Sequence, residues 1–255
     1  MTETMESTLT KVPAVTLGFW IIKILATTFG ETAGDTVSMS MGLGYLVGTA
    51  IFASVLVLLV LLQIRARQFH PALYWTTIIA STTAGTTMAD FATRSLGIGY
   101  FGGSLLLLGT VLASLAIWHR ALGTISVASV HEPKAEFYYW LTITFSQTLG
   151  TALGDCVVDG SLGYLGSVLL FGAAMALLAR VYFRTAIGRV GLFWAAFILT
   201  RPLGAVVGDF LDKPVAHGGL ELSRAGASLV LGITMVMLIA LVPQRAAGTE
   251  VRHAV

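Results

Sequence analysis

Residues 20–35, WIIKILATTFGETAGD, begin with a tryptophan, continue through a mostly apolar stretch and end with the carboxylates of Glu31 and Asp35. Their frame, Trp-x9-Gly-x3-[Gly/Ala]-Asp, returns three more times along the chain. Its members are Trp20, Trp75, Trp140 and Trp194; Gly30, Gly85, Gly150 and Gly204; Gly34, Ala89, Gly154 and Gly208; and Asp35, Asp90, Asp155 and Asp209. Recurrence at four places indicates an internal repeat, so we expect a fold built from four copies of one unit.

The composition is that of a membrane protein. The 255 residues are 56% hydrophobic and 11% charged, whereas about 25% of the residues of a typical soluble domain are charged. Apolar stretches of roughly 20 residues, long enough to cross a bilayer as helices, recur from end to end. The predicted helices are 14–41, 44–64, 71–95, 99–118, 136–158, 163–183, 190–211 and 220–242. We therefore predict an all-α polytopic membrane protein with eight transmembrane helices, arranged as four parallel two-helix repeats.

The predicted membrane domain is a single unit covering 14–243, between a polar N-terminal tail (1–13) and a C-terminal tail (244–255). Its repeats cover about 14–66, 70–119, 136–185 and 190–243. Ten basic residues flank one side of the predicted spans: Lys11, Arg65, Arg67, Arg120, Lys134, Arg180, Arg184, Arg189, Arg245 and Arg252. Three, namely Arg94, Lys213 and Arg224, flank the other. Because Lys and Arg are retained on the cytoplasmic side, we expect cytoplasmic termini and a multi-pass protein of the inner (plasma) membrane.

The repeated small residues and tryptophans have plain structural interpretations. Two small residues four positions apart let membrane helices approach closely, which Gly30 and Gly34 fit. Tryptophans near helix ends favour the membrane interface. Their strict register also allows an inward-facing role, so both interpretations of the tryptophans stay open at this point.

The four tryptophans and the Gly-x3-Gly-Asp frames carry a family resemblance that extends over residues 14–243. The chain resembles a bacterial family of membrane proteins made of four tandem two-helix repeats of unknown function, each with a characteristic tryptophan. The resemblance implies an architecture and no activity.

Acidic residues inside the predicted spans are the main functional signal. A carboxylate at the centre of a bilayer costs about 2.5–3.5 kcal/mol on insertion scales, so these residues must be hydrated, paired, protonated or ion-bound. On a helical wheel of the first predicted helix, its polar and small positions share one arc of about 140°. We therefore expect the odd-numbered helices to converge on a hydrated acidic cavity. The predicted cation-binding residues are Glu31, Asp35, Asp90, Asp155 and Asp209, with Glu31, Asp35 and Asp155 as the metal ligands.

Two cations interrupt this acidic set. Lys23 lies two turns before Glu31 on the same predicted face, and Arg201 occupies the repeat position of Thr27. Lys23 and Arg201 either balance the charge of Glu31 and a neighbouring aspartate or act as internal tethered cations that compete with a transported cation and couple the site to protons, and the sequence leaves both interpretations open. The supporting polar residues are Thr27, Thr86, Gln147, Thr151, Asp159 and Asp212.

These features favour a transporter or channel for a small inorganic cation over an enzyme. Carboxylate, hydroxyl and carbonyl oxygens suit hard cations, so a divalent metal such as manganese exchanged against protons fits the residues. The expected partners are membrane lipid, the cation and protons; a homo-oligomer stays open. We expect no covalent cofactor, because the chain has one cysteine and its five histidines fall in predicted loops or tails.

Two other classes remain. The first is a non-transporting scaffold or sensor, in which the aspartates pair with Lys23, Arg94, Arg201 and Lys213. The second is a membrane-embedded enzyme in which His217 would have to meet an outer serine and an aspartate. Nucleic-acid binding has no support, because no basic stripe or aromatic platform stands outside the predicted spans.

Overall fold

The computed structural model describes residues 10–247, and over this range the chain is helical with no β-strand. The long helices are α1 (Leu17–Asp35), α2 (Gly44–Arg65), α3 (Pro71–Asp90), α4 (Tyr100–Leu122), α5 (Pro133–Val157), α6 (Gly163–Arg184), α7 (Arg189–Asp212) and α8 (Arg224–Leu241). Each begins within a few residues of its predicted start. The all-α fold class is therefore confirmed.

The odd-numbered helices of the first three repeats change their winding near the motif aspartate. The chain continues beyond α1, α3 and α5 as the π-helical turns Thr36–Ser40, Phe91–Ser95 and Val158–Leu162. Glycines with positive φ, among them Gly99 at 76°, then lead into the returning helices. Helix α7 has no such turn and runs on to Asp212, where a longer connection leads to α8. The fourth repeat is therefore distinct at its acidic end.

The four odd-numbered helices form a closed inner ring in the order α1, α3, α5, α7 and back to α1. Each even-numbered helix packs on the odd-numbered helix of the following repeat: α2 on α3, α4 on α5, α6 on α7, and α8 on α1. The last of these contacts joins the end of the chain to its beginning. The repeats thus close into a ring with approximate fourfold symmetry.

The first motif glycine of each repeat makes this ring possible. A Cβ atom added to Gly30, Gly85, Gly150 or Gly204 would lie 2.0, 2.8, 2.1 or 2.1 Å from a side-chain atom of the next inner helix. The four facing residues are Thr82, Gln147, Arg201 and Thr27, which occupy one shared repeat position. The helices therefore interlock in one rotational direction, and the close approach expected of the small residues is confirmed.

The outer surface of the even-numbered helices is covered by exposed apolar side chains, such as Leu58, Leu105, Leu169 and Val236. Among residues 10–247, five helices are long and apolar enough to cross a membrane, namely the four even-numbered helices and α7. Helices α1, α3 and α5 fall short of that standard because they are more polar. Many of their polar side chains are buried inside the ring. The chain is accordingly a membrane protein, with five such helices where eight spans were predicted.

The tryptophans face inward, at the end of the ring opposite the aspartates. Trp75, Trp140 and Trp194 are buried with neighbouring phenylalanine and tyrosine rings in one aromatic cluster, while Trp20 is half-buried at its edge. We call this end of the molecule the aromatic end and the opposite end, where the motif aspartates lie, the acidic end. The membrane-anchoring interpretation therefore does not hold for the three buried tryptophans.

Segments of both predicted tails pack over the aromatic end. The Thr10 hydroxyl donates to the carbonyl oxygens of Val127 and Val130 at 2.8 and 2.9 Å. Pro13 forms an isolated antiparallel β-bridge with Ala246. Residues 10–13 and 244–247 therefore belong to the packed structure, and the rest of the predicted tails lies outside the described residues.

Candidate functional site: a buried ion-pair network

An ion pair between α7 and α1 occupies the centre of the inner ring. Arg201 is fully buried, and its Nη1 lies 2.9 Å from Oε2 of Glu31, which is 3% exposed. Arg201 lies one turn nearer the aromatic end than the level of Glu31, and its long side chain covers that turn. This pairing is the one that the sequence predicted for Arg201.

Two threonine hydroxyls complete the centre. Nη2 of Arg201 donates to Oγ1 of Thr86 at 2.6 Å and to Oγ1 of Thr151 at 2.5 Å. The same hydroxyls lie 3.3 and 3.1 Å from Oε2 of Glu31, within donating distance. Both threonines occupy the repeat position that Glu31 holds in the first copy, and Ala205 holds it in the fourth. The ring therefore has fourfold geometry around a single carboxylate.

Arg94 joins two of the motif aspartates at the acidic end. Its Nε lies 2.9 Å from Oδ1 of Asp90, and its Nη2 lies 3.1 Å from Oδ2 of Asp155. Nη1 donates to the Tyr45 hydroxyl at 3.1 Å, and the guanidinium carbon lies 5.7 Å from the ring centre of Tyr100. Tyr45 and Tyr100, each preceded by a glycine at the start of α2 or α4, thus supply aromatic partners for this arginine.

Lys213 joins the other two motif aspartates. Its Nζ lies 2.8 Å from Oδ2 of Asp35, 2.9 Å from Oδ1 of Asp209 and 3.9 Å from Oδ1 of Asp212. Burial by itself lowers the pKa of Lys213, but the three surrounding carboxylates raise that pKa well above its ordinary value. The ammonium therefore stays charged over the physiological pH range.

Asp35, Asp209 and Asp212 are the residues best placed to hold a metal ion. One carboxylate oxygen from each lies within 4.8 Å of the other two, and all three side chains are buried. Among the described residues, Oδ1 of Asp35 and Oδ1 of Asp212 accept no hydrogen bond. Two buried acceptors in this trio are therefore available to a cation.

The acidic end carries more negative than positive charge. Arg224 is its third cation, with Nε 2.8 Å from Oδ2 of Asp212 and 3.9 Å from Oδ2 of Asp35. The five buried carboxylates of this cluster share Arg94, Lys213 and Arg224, so the cluster by itself has a formal charge of −2. Bringing a cation into this end would reduce that imbalance.

The predicted metal ligands are not brought together as a set. Glu31 pairs with Arg201, and Asp155 pairs with Arg94. Asp35 alone belongs to the carboxylate trio, whose other members are Asp209 and Asp212. Lys213, which directly follows α7, contacts all three of these carboxylates.

Lys23 does not balance the charge of Glu31. Its Nζ is buried, has no hydrogen-bond partner within the described part of the chain and lies 4.2 Å from the ring centre of Phe197. The two residues share a face of α1 but are separated by about 12 Å along its axis, at 1.5 Å per residue. That separation places Lys23 beside the aromatic end, and among the described residues Glu31 pairs with Arg201 and not with Lys23.

The remaining supporting residues differ in position. Thr27 is buried, and its hydroxyl donates to the carbonyl oxygen of Ile24 at 2.8 Å. Gln147 is buried with its Nε2 3.5 Å from Oγ of Ser81. Asp159 is exposed in a π-helical turn and forms no ion pair with any described residue. Asp159 therefore lies outside the network.

Two cavities of the described structure lie away from the carboxylates. One of about 600 Å³ opens between α1, α6 and α7 near the aromatic end, and its lining includes Trp20, Phe183 and Phe193. Another of about 390 Å³ lies beside α8 and is lined by residues such as Leu211 and Val230. The carboxylates are instead enclosed by side chains, among which Arg94 is the most accessible cation, with 31% of its side chain exposed. The network is therefore in a closed arrangement.

Arg94, Lys213 and Arg224 belong to the network but not to the predicted cation site. Each contacts a buried aspartate, as the scaffold alternative expected of Arg94 and Lys213. Sequence spacing contained part of the signal, since Arg94 and Lys213 each follow a motif aspartate by four positions, which places both members of a pair on one helix face.

Comparisons with known proteins agree with the repeat architecture. The model of the family described as Repeat of Unknown Function (DUF347) matches residues 18–69, 73–124, 138–187 and 192–244. These four matches correspond to the four repeats described above and together cover most of the chain. No curated protein and no solved structure matches the chain. The chain therefore belongs to the DUF347 family.

Proposed function

We propose that this protein transports a small inorganic cation across the bacterial inner membrane. The observation that carries the proposal is the buried trio of Asp35, Asp209 and Asp212, with one oxygen of each within 4.8 Å of the others, closed around the ammonium of Lys213. A buried carboxylate cluster is costly in a membrane unless it is hydrated, paired, protonated or ion-bound, and here Lys213 and Arg224 are two cations for three carboxylates. The proposal treats the protein as a transporter rather than an enzyme.

The proposed membrane arrangement has eight spans, with α1, α3 and α5 crossing inside the ring. The excess of basic residues at the aromatic end supports a cytoplasmic location for that end and for both termini. The acidic end then faces the opposite side, where it would receive or release the cation.

A divalent metal ion exchanged against protons is the proposed substrate. The buried cluster has more carboxylates than cations, and oxygen ligands suit Mg²⁺, Ca²⁺ or Mn²⁺. In this mechanism the entering cation takes the place of Lys213 Nζ between Asp35 and Asp209, which are 2.8 and 2.9 Å from it. Lys213 would then act as a tethered cation that closes the site when the transported ion is absent.

Flux in liposomes tests the proposal. The parent protein, reconstituted with a fluorescent Mn²⁺ indicator inside the vesicles, should take up Mn²⁺ and move protons in the opposite direction. Asp35→Asn and Asp209→Asn, each of which removes a carboxylate from the proposed site, should strongly reduce the flux. Asp159→Asn is the matched control, because Asp159 is an exposed acid outside the network, and it should transport as the parent does. Folded parent protein that moves neither Mn²⁺, Ca²⁺ nor Mg²⁺ would contradict transport.

A scaffold or sensor is the second candidate function. It is favoured by the fact that each of the four motif aspartates lies within 3.1 Å of an arginine or lysine nitrogen. In that case the ion pairs only lock the repeats together. The two functions predict different outcomes for Asp35→Asn and Asp209→Asn: lower stability in both cases, but altered cation flux only for a transporter.

A further inference from the structure

Among the described residues, Lys23 is a buried charged group that forms no ion pair, unlike Lys11 and Glu136, which are also buried outside the cation site but pair with each other. Its side chain is fully buried in α1, and its Nζ has no hydrogen-bond partner among the described residues. The Lys23 Nζ lies 4.2 Å from the centre of the Phe197 ring. A membrane-embedded lysine without a carboxylate is expensive to keep charged, because the interior offers neither water nor a counter-ion.

The helices packed against α1 bring no acid to this lysine. Helix α7 contributes Phe197 and, toward the acidic end, Arg201, the charged group that acts on Lys23 electrostatically. At the same repeat position as Lys23, α3 and α5 carry Ile78 and Ile143, both fully buried, and the contact with α8 includes the buried Met235. Arg201 already neutralises Glu31, so a charged Lys23 would leave one positive charge uncompensated.

Polar groups without partners lie one helical turn closer to the acidic end. Among the described residues, Oγ of Ser146 and Oε1 of Gln147 are buried and lack hydrogen-bond partners. Both belong to the inner ring, between the level of Lys23 and the level of Glu31. Buried acceptors of this kind can hold water that connects a proton-binding group to its surroundings.

We propose that Lys23 is the proton-binding residue of this transporter: its Nζ is an uncharged amine in the closed state and becomes an ammonium by taking up one proton. The inference rests on the proposed cation transport. A proton on Nζ adds one positive charge to the ring interior, and a cation between Asp35 and Asp209 adds charge at its acidic end. The two charges repel, so occupancy of one site favours release from the other. This is the relation that an exchanger requires.

Nitrogen NMR of the lysine side chains tests the protonation directly. The chain has only four lysines, Lys11, Lys23, Lys134 and Lys213, so protein labelled with ¹⁵N at lysine Nζ gives four signals. Lys23→Met and, if that variant folds poorly, Lys23→Gln identify the Lys23 signal by its loss. Between pH 6 and pH 9 the Lys23 signal should be that of an amine or should change from ammonium to amine, while the other three remain ammonium. A Lys23 signal that stays ammonium at pH 9 would overturn the proposal.

Vesicle flux tests the coupling separately. In the parent, vesicles whose interior is one pH unit more acidic than the outside should take up Mn²⁺ several-fold faster than vesicles at equal pH. Lys23→Met should abolish that acceleration. Its Mn²⁺ exchange at equal pH should persist. Lys134→Met, which removes an exposed lysine, is the control and should respond to the gradient as the parent does. Unchanged acceleration in Lys23→Met would refute the role of Lys23 and leave cation transport standing. Absence of Mn²⁺ flux in the parent would instead refute the proposed function and with it the coupling.

Discussion

Replacing Gly204 by alanine should push α7 away from α1. The added Cβ would lie 2.1 Å from Oγ1 of Thr27 and 2.9 Å from its backbone carbonyl carbon. Rotation of the Thr27 side chain relieves the first overlap but not the second, so the two helices must separate. That movement also strains the hydrogen bond of 3.1 Å from the Thr27 hydroxyl to the carbonyl oxygen of Thr200. Overpacking of this kind costs about 1–3 kcal/mol.

Gly172→Ala provides the matched control. Gly172 lies in α6, and a Cβ added there meets no atom within 4 Å. Both substitutions gain the same helix propensity, roughly 1 kcal/mol in water, so the difference between the two variants isolates the steric cost. In reversible unfolding in mixed detergent micelles, Gly204→Ala should be less stable than Gly172→Ala by about 1–3 kcal/mol. Equal stability of the two variants would refute the interlocked ring.

The ion pairs and the aromatic end allow further tests. Glu31→Gln and Arg201→Met should each lower the free energy of unfolding by about 3–5 kcal/mol, because each leaves a buried partner uncompensated. The double variant should lose clearly less than the sum, and additive losses would argue against the pairing. Arg94→Gln deprives two buried aspartates of their shared cation. Because protons neutralise carboxylates at low pH, the melting temperature of this variant should fall further below the parent's at pH 8 than at pH 5. The same fall at both pH values would contradict this reasoning. Trp75→Phe removes a hydrogen bond of 3.2 Å to Gln244 and should cost about 1 kcal/mol, whereas an unchanged stability would show that this bond contributes nothing.

The repeat frame predicted the helices and the central position of Glu31 and Arg201 because both depend on local pattern. Tryptophan, glycine and aspartate recur in one register, so equivalent residues must lie at equivalent heights. The register does not specify the order of the helices around the ring. Tertiary packing decides that each even-numbered helix lies against the odd-numbered helix of the following repeat. The contact of α8 with α1 then closes the ring.

The partners of the aspartates could be predicted only in part. Lys213 and Arg224 approach Asp35 from the far end of the sequence, and no local pattern specifies that contact. A helical wheel puts Lys23 and Glu31 on one face because it shows the direction of a side chain but not its distance along the helix axis. Hydropathy likewise undervalues α1 and α3, whose threonines and acids face protein instead of lipid.

Anomalous diffraction from crystals grown with MnCl₂ tests most directly whether the buried carboxylate trio binds a cation. We predict a manganese peak between the carboxylates of Asp35, Asp209 and Asp212, with the Lys213 ammonium moved away from its present positions 2.8 and 2.9 Å from two of them. Asp209→Asn should abolish the peak. Crystals of the parent in which Lys213 keeps its place and no manganese lies among these three carboxylates would contradict the account.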